Sequence, residues 1–311
     1  MRENTCSQFL LTSGINSRIM RSVTTFAAIF FLSCSVGAQQ QKLKVYISAD
    51  MEGVGGVVTW QVQGLPPGRE YEKFRRLMTL EVNAAIAGAY DAGATEVLVS
   101  DSHGDAQNID IELLDKRVRL VRSWPRPLGM MQGIDSTFDA VVLIGYHAGE
   151  GVEGAVIAHT FSGRESLKLN GEPASEVDFN AAVAADLGVP LVFVSGDQVV
   201  TAQAKQRYGA IVTAAVKEAI GYNSAITIHP EESQKMIRAG VKLGIESRKQ
   251  ITPLKLTHPI KMELTYRDIV IPEVASYLKG VQRTQGNTIL YTAQDMTDAS
   301  KFRTVIAALH P

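Results

Sequence analysis

Apolar residues follow two different spacings along the first half of the chain. Short continuous apolar runs at residues 43–50, 95–100 and 139–145 predict buried strands. Residues 71–92 instead repeat apolar positions at intervals close to 3.6 and predict a helix that stops at Gly93. A strand, a helix and a second strand in this order are typical of a βαβ unit. The pattern therefore predicts an α/β fold with a mainly parallel sheet.

The remaining pattern predicts a further series of elements and a change near residue 208. The sequence from Leu167 to Glu172 predicts a hairpin that turns at Asn170-Gly171. The other predicted elements are an extended segment (155–161), short strands (118–121, 190–195, 260–265, 287–292) and helices (175–187, 231–249, 269–278, 299–309). We expect residues 39–207 to form the first domain and residues 208–311 a smaller α/β domain.

The beginning of the chain has the pattern of a secretory signal peptide. A positive start at Arg18 and Arg21 precedes an apolar run at 26–32 and the small residues that end at Ala38. The run is too short for a stable membrane span, so residues 1–38 predict an exported protein, periplasmic or secreted. A lipoprotein anchor at Cys34 is the alternative, but the residues before it fit that pattern poorly. Translation could start at Met1 or at Met20.

Composition restricts the chemistry that the mature protein can perform. The two cysteines of the full chain, Cys6 and Cys34, both lie in the predicted leader, so the mature chain is expected to have no disulfide and no thiolate ligand. Any metal must be bound by His, Asp and Glu. The net charge of −1 comes without a basic block, so no nucleic-acid partner is expected. Residues 149–154 match G-x-G-x-x-G, but an extended segment rather than a helix follows, which argues against a dinucleotide site.

Polar side chains that could bind metal follow three predicted strands. Asp50 and Glu52 follow the first strand, His103 follows the second, and His147 follows the central one. The carboxyl ends of parallel strands meet at one edge of a sheet, so these side chains should converge there. Carboxylates with imidazoles are the ligand mixture of a zinc hydrolase. Asp101 or Ser102 could orient His103 by a hydrogen bond.

Two further candidates are ambiguous from the residues alone. His159, close to the same edge, could be a ligand, an acid–base group or a packed histidine. Glu176 and Asp178 lie in the first turn of a predicted helix with Ser175 as N-cap, where acids are usual without any further role.

Five motifs along the chain together resemble the zinc D-aminopeptidases. They are Ser-x-Asp-x-Glu-Gly at 48–53, Asp-Ser-His at 101–103, Gly-Tyr-His-Ala at 145–148, Glu176 ahead of Asn180-Ala181, and Val-Ser-Gly-Asp at 194–197. The resemblance covers residues 43–309 and implies a Rossmann-like domain with a smaller α/β domain. It also implies two Zn²⁺ per subunit, with Asp50 as bridging ligand, completed by Glu52, His103, His147 and Glu176, and His159 as the catalytic, non-ligand histidine.

The resemblance implies a substrate and an assembly as well. It indicates a metal-activated water that hydrolyses short peptides with N-terminal D-residues, such as D-Ala-D-Ala or cell-wall stem peptides. It also implies a homo-oligomer, with the stacked pentameric rings of the family's type member as the expected form. A metal-dependent amidase or phosphoesterase on the same ligands is one alternative, and a non-catalytic peptide-binding protein is another. Pure binding would not need His159, and we find no cluster of cations for a phosphate near the motifs.

Overall fold

The computed structural model describes residues 42–163 and 165–309. The predicted signal peptide at residues 1–38, with both cysteines, lies outside the described residues, so its cleavage and the export of the protein stay predictions. Among the described residues, no helix combines the length and the apolar character needed to cross a bilayer.

Twelve strands and six helices form the described fold. The strands are β1 (Lys44–Ala49), β2 (Glu96–Asp101), β3 (Arg119–Val121), β4 (Ala140–Tyr146), β5 (Glu165–Leu169), β6 (Glu172–Ala174), β7 (Leu191–Asp197), β8 (Val212–Gly221), β9 (Ser224–Thr227), β10 (Ile260–Tyr266), β11 (Val281–Gln285) and β12 (Thr288–Ala293). The helices are α1 (Tyr71–Asp91), α2 (Glu176–Asp186), α3 (Gln198–Tyr208), α4 (Pro230–Glu246), α5 (Val270–Ala275) and α6 (Met296–Ala307).

The first sheet confirms the predicted fold class. Its seven strands run in the order β3-β2-β1-β4-β7-β8-β9, and every neighbouring pair is parallel except β8 and β9. The central strands β1, β4 and β7 are buried almost throughout, which explains their continuous apolar runs. The strand order reverses between β1 and β4, and ligands of open α/β sheets bind in the crevice at such a reversal.

The second sheet is antiparallel, in the order β11-β12-β10-β5-β6. The predicted hairpin is present as β5 and β6, and both turn residues have positive φ, 51° at Asn170 and 90° at Gly171. This is the backbone that an Asn-Gly turn favours. α6 packs on β12 and β10 and also contacts α2, which begins at the edge of the first sheet.

Sheet membership does not follow the expected domain boundary at residues 207 and 208. β8, β9 and α4 follow residue 208 yet belong with the first sheet, whereas β5 and β6 precede it yet belong to the second. The reason is that strand pairing is set by contacts distant in sequence, such as Leu167 with Leu264, which the local pattern does not contain. The predicted division into two domains stays a prediction.

Candidate active site

Three neighbouring strands of the first sheet end at candidate ligands. Asp50 follows β1, His103 lies two residues beyond β2, and His147 follows β4. All three side chains are almost fully buried, at 1–3% exposure. β1 lies between β2 and β4 and is parallel to both. The prediction that these residues converge at one sheet edge is therefore confirmed.

Glu52 is positioned by a tight backbone contact between the end of β1 and the end of β4. The Asp50 N–H donates to the Ile144 carbonyl at 2.8 Å, and the Gly53 N–H donates to the Gly145 carbonyl at 2.7 Å. A Cβ atom on Gly53 would lie 2.0 Å from the Tyr146 carbonyl oxygen. The predicted tight turn after the acid pair thus depends on a glycine that lets two backbones approach.

A buried lysine holds the same loop from its other side. The Lys217 ammonium of β8 donates to the carbonyl oxygens of Glu52, Val54 (3.1 Å) and Val57 (2.6 Å). Three acceptors match the three donors of an ammonium group. Burial lowers the pKa of Lys217 to about 8, because the charged form loses its contact with water. The three hydrogen bonds offset part of this cost of burying the charge.

Glu176 and His159 reach the site from the segment between β4 and α2. Ser175 caps α2, and its hydroxyl and the Asp178 carboxylate form a capping box, so Glu176 is the first helical residue. Residues 155–161, predicted as extended, are instead an irregular loop with positive φ at Ile157 (49°) and Phe161 (52°). That backbone turns the His159 side chain inward, to 4% exposure, and the backbone N–H of His159 donates to the Ala148 carbonyl.

The six predicted side chains form two adjacent groups. Asp50, Glu52 and His103 make one group, and His147, His159 and Glu176 make the other, with candidate ligand atoms within 4.8 Å of one another in each. Asp50 links the two, because its Oδ1 lies 3.2 Å from His103 Nδ1 and its Oδ2 lies 3.3 Å from His147 Nε2. One carboxylate thus faces a different imidazole with each oxygen.

Within its group, His159 is the side chain that also approaches Glu52 of the other group. Its Nε2 lies 3.7 Å from Glu52 Oε1 and 3.7 Å from Glu176 Oε1. Its ring stacks on that of His147, with centroids 3.9 Å apart. His147 Nε2 is 3.5 Å from Glu176 Oε1, and His103 Nδ1 is 2.9 Å from Glu52 Oε2.

Each of the three imidazoles has one ring nitrogen against a backbone carbonyl. His103 Nε2 lies 2.6 Å from the Gly64 carbonyl, His147 Nδ1 lies 3.0 Å from that of Ala148, and His159 Nδ1 lies 2.8 Å from that of Ile157. A carbonyl only accepts, so these nitrogens carry the hydrogen. The other nitrogen of each ring faces the carboxylates, where it can hold a proton or, as in metal-bound histidines, a metal ion.

The orienting partner of His103 differs from the one predicted. Asp101 accepts from the side-chain amide of Asn108 and the N–H of Ile109 instead. The Ser102 hydroxyl is bonded to Ser48, Ser100 and the Met130 carbonyl. Both side chains are thus bonded to other partners, and the Gly64 carbonyl, from a loop distant in sequence, takes their place at the His103 ring.

Charge is concentrated in this buried site. Burial and the neighbouring Glu52 carboxylate raise the pKa of Asp50 to about 7. Burial would lower the pKa of His103 and of His147, but Glu52 and Glu176 respectively raise both well above the usual value. His159 differs, because burial and the neighbouring His147 lower its pKa. The negative charge of the carboxylates therefore stabilises positive charge in the site. Of the three imidazoles, that of His159 stays neutral most readily.

The residues fit a pair of bound metal ions. His147 Nε2 is buried and makes no hydrogen bond among the described residues, although two carboxylate oxygens lie within 3.5 Å. A buried nitrogen in this position suits a metal ion as its partner. The donors are nitrogen and carboxylate oxygen only, which suits Zn²⁺.

Sequence reasoning did not find two residues that shape the site. The Trp60 indole donates to Glu52 Oε1 at 2.7 Å and packs edge-on against the ring of His159, with centroids 4.7 Å apart. Lys217 is the second. A lysine directly after the mainly apolar run Val212–Val216 was the available signal for Lys217, whereas nothing in the local pattern marks Trp60.

Comparisons with known proteins agree in sequence and in structure. The family model described as D-aminopeptidase, peptidase family M55, matches residues 43–305. A D-aminopeptidase from Bacillus subtilis (strain 168) is 29% identical over 270 residues, which are 86% of this chain and 97% of the relative. The solved structure of the zinc-dependent D-aminopeptidase DppA from Bacillus subtilis, a self-compartmentalizing protease, aligns with a TM-score of 0.82 at 29% identity, over 86% of this chain and 97% of the other.

Proposed function

Because the chain belongs to the D-aminopeptidase family of metallopeptidases, peptidase family M55, we propose that it is a dinuclear zinc aminopeptidase for short peptides with N-terminal D-residues. D-Ala-D-Ala and cell-wall stem peptides are the proposed substrates. The observation that carries the proposal is the position of Asp50, whose two carboxylate oxygens each face a different imidazole. Support comes also from the zinc dependence of the similar Bacillus subtilis enzyme.

The proposed ligand sets follow the two groups of side chains. Asp50 would bridge the ions, Glu52 and His103 would complete one ligand set, and His147 and Glu176 would complete the other. Zinc in such a site supplies a Lewis acid for the peptide carbonyl and lowers the pKa of a bound water. Trp60 and Lys217 keep Glu52 in place, through its carboxylate and its backbone carbonyl respectively.

His159 is proposed as the catalytic histidine rather than a ligand. Five other side chains already supply donors for two ions that share Asp50. Its lowered pKa leaves the ring neutral near pH 7, and the Ile157 carbonyl fixes the hydrogen on Nδ1. Nε2 is then free to take a proton and return it to the leaving amine, or, once protonated, to stabilise the oxyanion.

The test combines metal content with a stereochemical assay. Elemental analysis of the purified protein should give two zinc ions per subunit, and D-Ala release from D-Ala-D-Ala should greatly exceed L-Ala release from the L-isomer. Asp50→Ala should lose both ions and the activity, since the shared ligand is removed. Full zinc occupancy in Asp50→Ala, or equal cleavage of the two isomers, would contradict the proposal.

We also propose that the protein is exported and works as a homo-oligomer, in stacked pentameric rings. The composition of residues 1–38 supports export. Exposed apolar side chains around α5 support assembly: Ile269 (55% exposed), Val270 (60%), Val274 (40%) and Tyr277 (74%). The similar Bacillus subtilis enzyme is described as self-compartmentalizing, which a single copy of a chain does not achieve.

A further inference from the structure

A second cavity opens directly beside the candidate active site. Its volume is about 560 Å³, which lies within the range of roughly 300–1,000 Å³ for small-ligand pockets. Ser102, Gly104, Phe161, Ser162 and Glu176 line both this cavity and the smaller one that contains Asp50, Glu52 and His103. The two cavities are therefore adjacent, and a peptide whose scissile bond lies at the candidate metal ligands has this cavity beside it.

The walls of the cavity are mainly apolar and are held in place. Its apolar lining includes Trp124, Pro125, Met130, Phe161, Phe179 and Ala307. The Trp124 indole donates to the Gly104 carbonyl at 2.8 Å. The Phe161 N–H donates to Glu176 Oε1 at 2.6 Å, and its ring packs edge-on against Phe179. The shape thus exists before a ligand arrives, which lowers the entropic cost of binding.

Both cations in the lining already have partners, and Arg303 Nε, a guanidinium nitrogen without a hydrogen-bond partner among the described residues, is itself buried. Arg126 is 3% exposed and donates to the Ser100 hydroxyl and to the Asp101 and Ser123 carbonyls. Arg303 pairs with the fully buried Glu165 carboxylate at 2.6 Å, and its guanidinium lies 4.3 Å from the Phe161 ring centroid. An acidic group in the cavity would remain without a partner of its own, which is costly in a desolvated site.

Two buried polar atoms belong to lining residues. Ser300 Oγ and Asn180 Oδ1 have no hydrogen-bond partner among the described residues, and both side chains are 1% exposed. Buried polar groups are rarely left unpaired. Neither atom is exposed to the cavity, so neither offers a partner to a polar group of a ligand there.

From the apolar walls, the arginines that already have partners and the lining residues shared with the candidate metal site, we infer that this cavity binds a bulky apolar side chain next to the scissile bond. Peptides with D-Leu or D-Phe should be better substrates than those with D-Glu. The inference rests on the proposed function and narrows its substrate class. A hydrophobic pocket discriminates by about tenfold or more when a large apolar group is gained or lost.

The experiment measures kcat/KM of the zinc-loaded protein on a dipeptide panel. D-Ala, D-Leu, D-Phe and D-Glu are placed in turn on each side of the bond, with D-Ala as the other residue. Ala307→Trp places a bulky side chain in the lining of the cavity, and Val305→Trp is the matched control, because Val305 is exposed on the same helix and is not a lining residue. Calorimetric titration with D-phenylalanine and D-glutamate gives a second readout that needs no turnover.

We expect D-Leu or D-Phe to exceed D-Glu by about tenfold or more at one of the two positions. Ala307→Trp should abolish that advantage and change D-Ala-D-Ala cleavage much less, while Val305→Trp should resemble the wild type. Cleavage of D-Ala-D-Ala without an apolar preference would overturn the cavity inference and leave the proposed function standing. If no D-dipeptide is cleaved, the proposed function fails. The titrations then judge the cavity alone, and D-phenylalanine binding no tighter than D-glutamate, or unaffected by Ala307→Trp, overturns it.

Discussion

Hydrogen bonds to backbone carbonyls determine which nitrogen of each imidazole faces the site. Side chains can move when a neighbour is replaced, but the carbonyls of Gly64, Ala148 and Ile157 are fixed by the course of the chain. Each ring therefore has a backbone partner of its own, although those of His147 and His159 also stack on each other. For this reason, replacement of His103 should leave the other two rings in place.

The first prediction at the residue scale concerns His159. His159→Ala should keep both metals and bind substrate nearly normally, while kcat falls by about a hundredfold or more, the range for loss of an acid–base or oxyanion group. Steady-state kinetics beside elemental analysis measures both quantities. A parallel loss of zinc would make His159 a ligand, and unchanged turnover in folded protein would remove it from the mechanism.

A second prediction concerns a buried acid outside the candidate ligands. Glu81 accepts hydrogen bonds from the Gly55 N–H and the Ser233 hydroxyl, and burial raises its pKa to about 7. The folded state therefore holds a proton between about pH 4.3, the ordinary value, and pH 7, where the unfolded state does not. Its contribution to the free energy of unfolding decreases as the pH rises through that window.

Glu81→Gln removes this titration and keeps an acceptor for both donors. Between pH 5 and pH 8, the wild type should lose roughly 1–3 kcal/mol more of its unfolding free energy than the variant. Urea unfolding of the metal-free proteins at the two pH values gives the difference. If the unfolding free energies of the wild type and the variant change by the same amount between the two pH values, Glu81 keeps an ordinary pKa.

At the scale of elements, the close contact between the ends of β1 and β4 leaves no room for a side chain at Gly53. Gly53→Ala would place a methyl group 2.0 Å from the Tyr146 carbonyl, and a backbone oxygen cannot move away alone. We expect a loss of more than about 3 kcal/mol of unfolding free energy. Metal affinity should also fall, since Glu52 moves with the loop. Both are measurable by denaturation and zinc titration.

Gly221→Ala is the matched control for this prediction. Gly221 ends β8, and a Cβ there would meet nothing within 4 Å. Its replacement should change stability by less than about 1 kcal/mol. If the two variants are equally stable, the contact at Gly53 is not a constraint on the loop.

Elements with a strong local pattern were predictable from sequence, and those set by distant contacts were not. The buried strands, the Ser175 cap and the Asn170-Gly171 turn were predicted because each is encoded within a few neighbouring residues. The loop at 155–161 was predicted wrongly, since positive φ at Ile157 is unfavourable for a β-branched residue and is imposed by the surrounding fold.

The candidate site follows the same division. The convergence of Asp50, His103 and His147 was predictable, because parallel strands end at one edge. The Gly64 carbonyl on His103 and the Lys217 contacts with the Glu52 loop were not. These join segments far apart in the chain, and no spacing rule connects them.

At the scale of the whole molecule, the apolar surface around α5 predicts an assembly contact. The double variant Val270→Asp/Tyr277→Asp should reduce the molecular mass in solution, because charge would be buried at the interface. Light scattering after size-exclusion chromatography measures the mass. Val305→Asp on α6 is the control, an exposed valine elsewhere, and should keep the oligomer. The same mass for all three proteins would contradict the prediction.

The leader gives a second prediction for the molecule as a whole. Cleavage after Ala38 should give a mature protein that begins at Gln39 and is recovered from the envelope or medium. N-terminal sequencing of protein from fractionated cells checks this. An intact leader on cytosolic protein, or a lipid on Cys34, would contradict it.

The pairing of β5 with β10 also determines when the protein can begin to work. Leu167 of β5 pairs with Leu264 of β10, so the hairpin before α2 has no sheet to join until the last part of the chain has been synthesised. Glu176 begins the helix that follows this hairpin. We therefore expect Asp50, Glu52, His103 and His147 to be present in the nascent chain for most of its synthesis while Glu176 is not yet in place. The chain should gain peptidase activity only after its last part has been made.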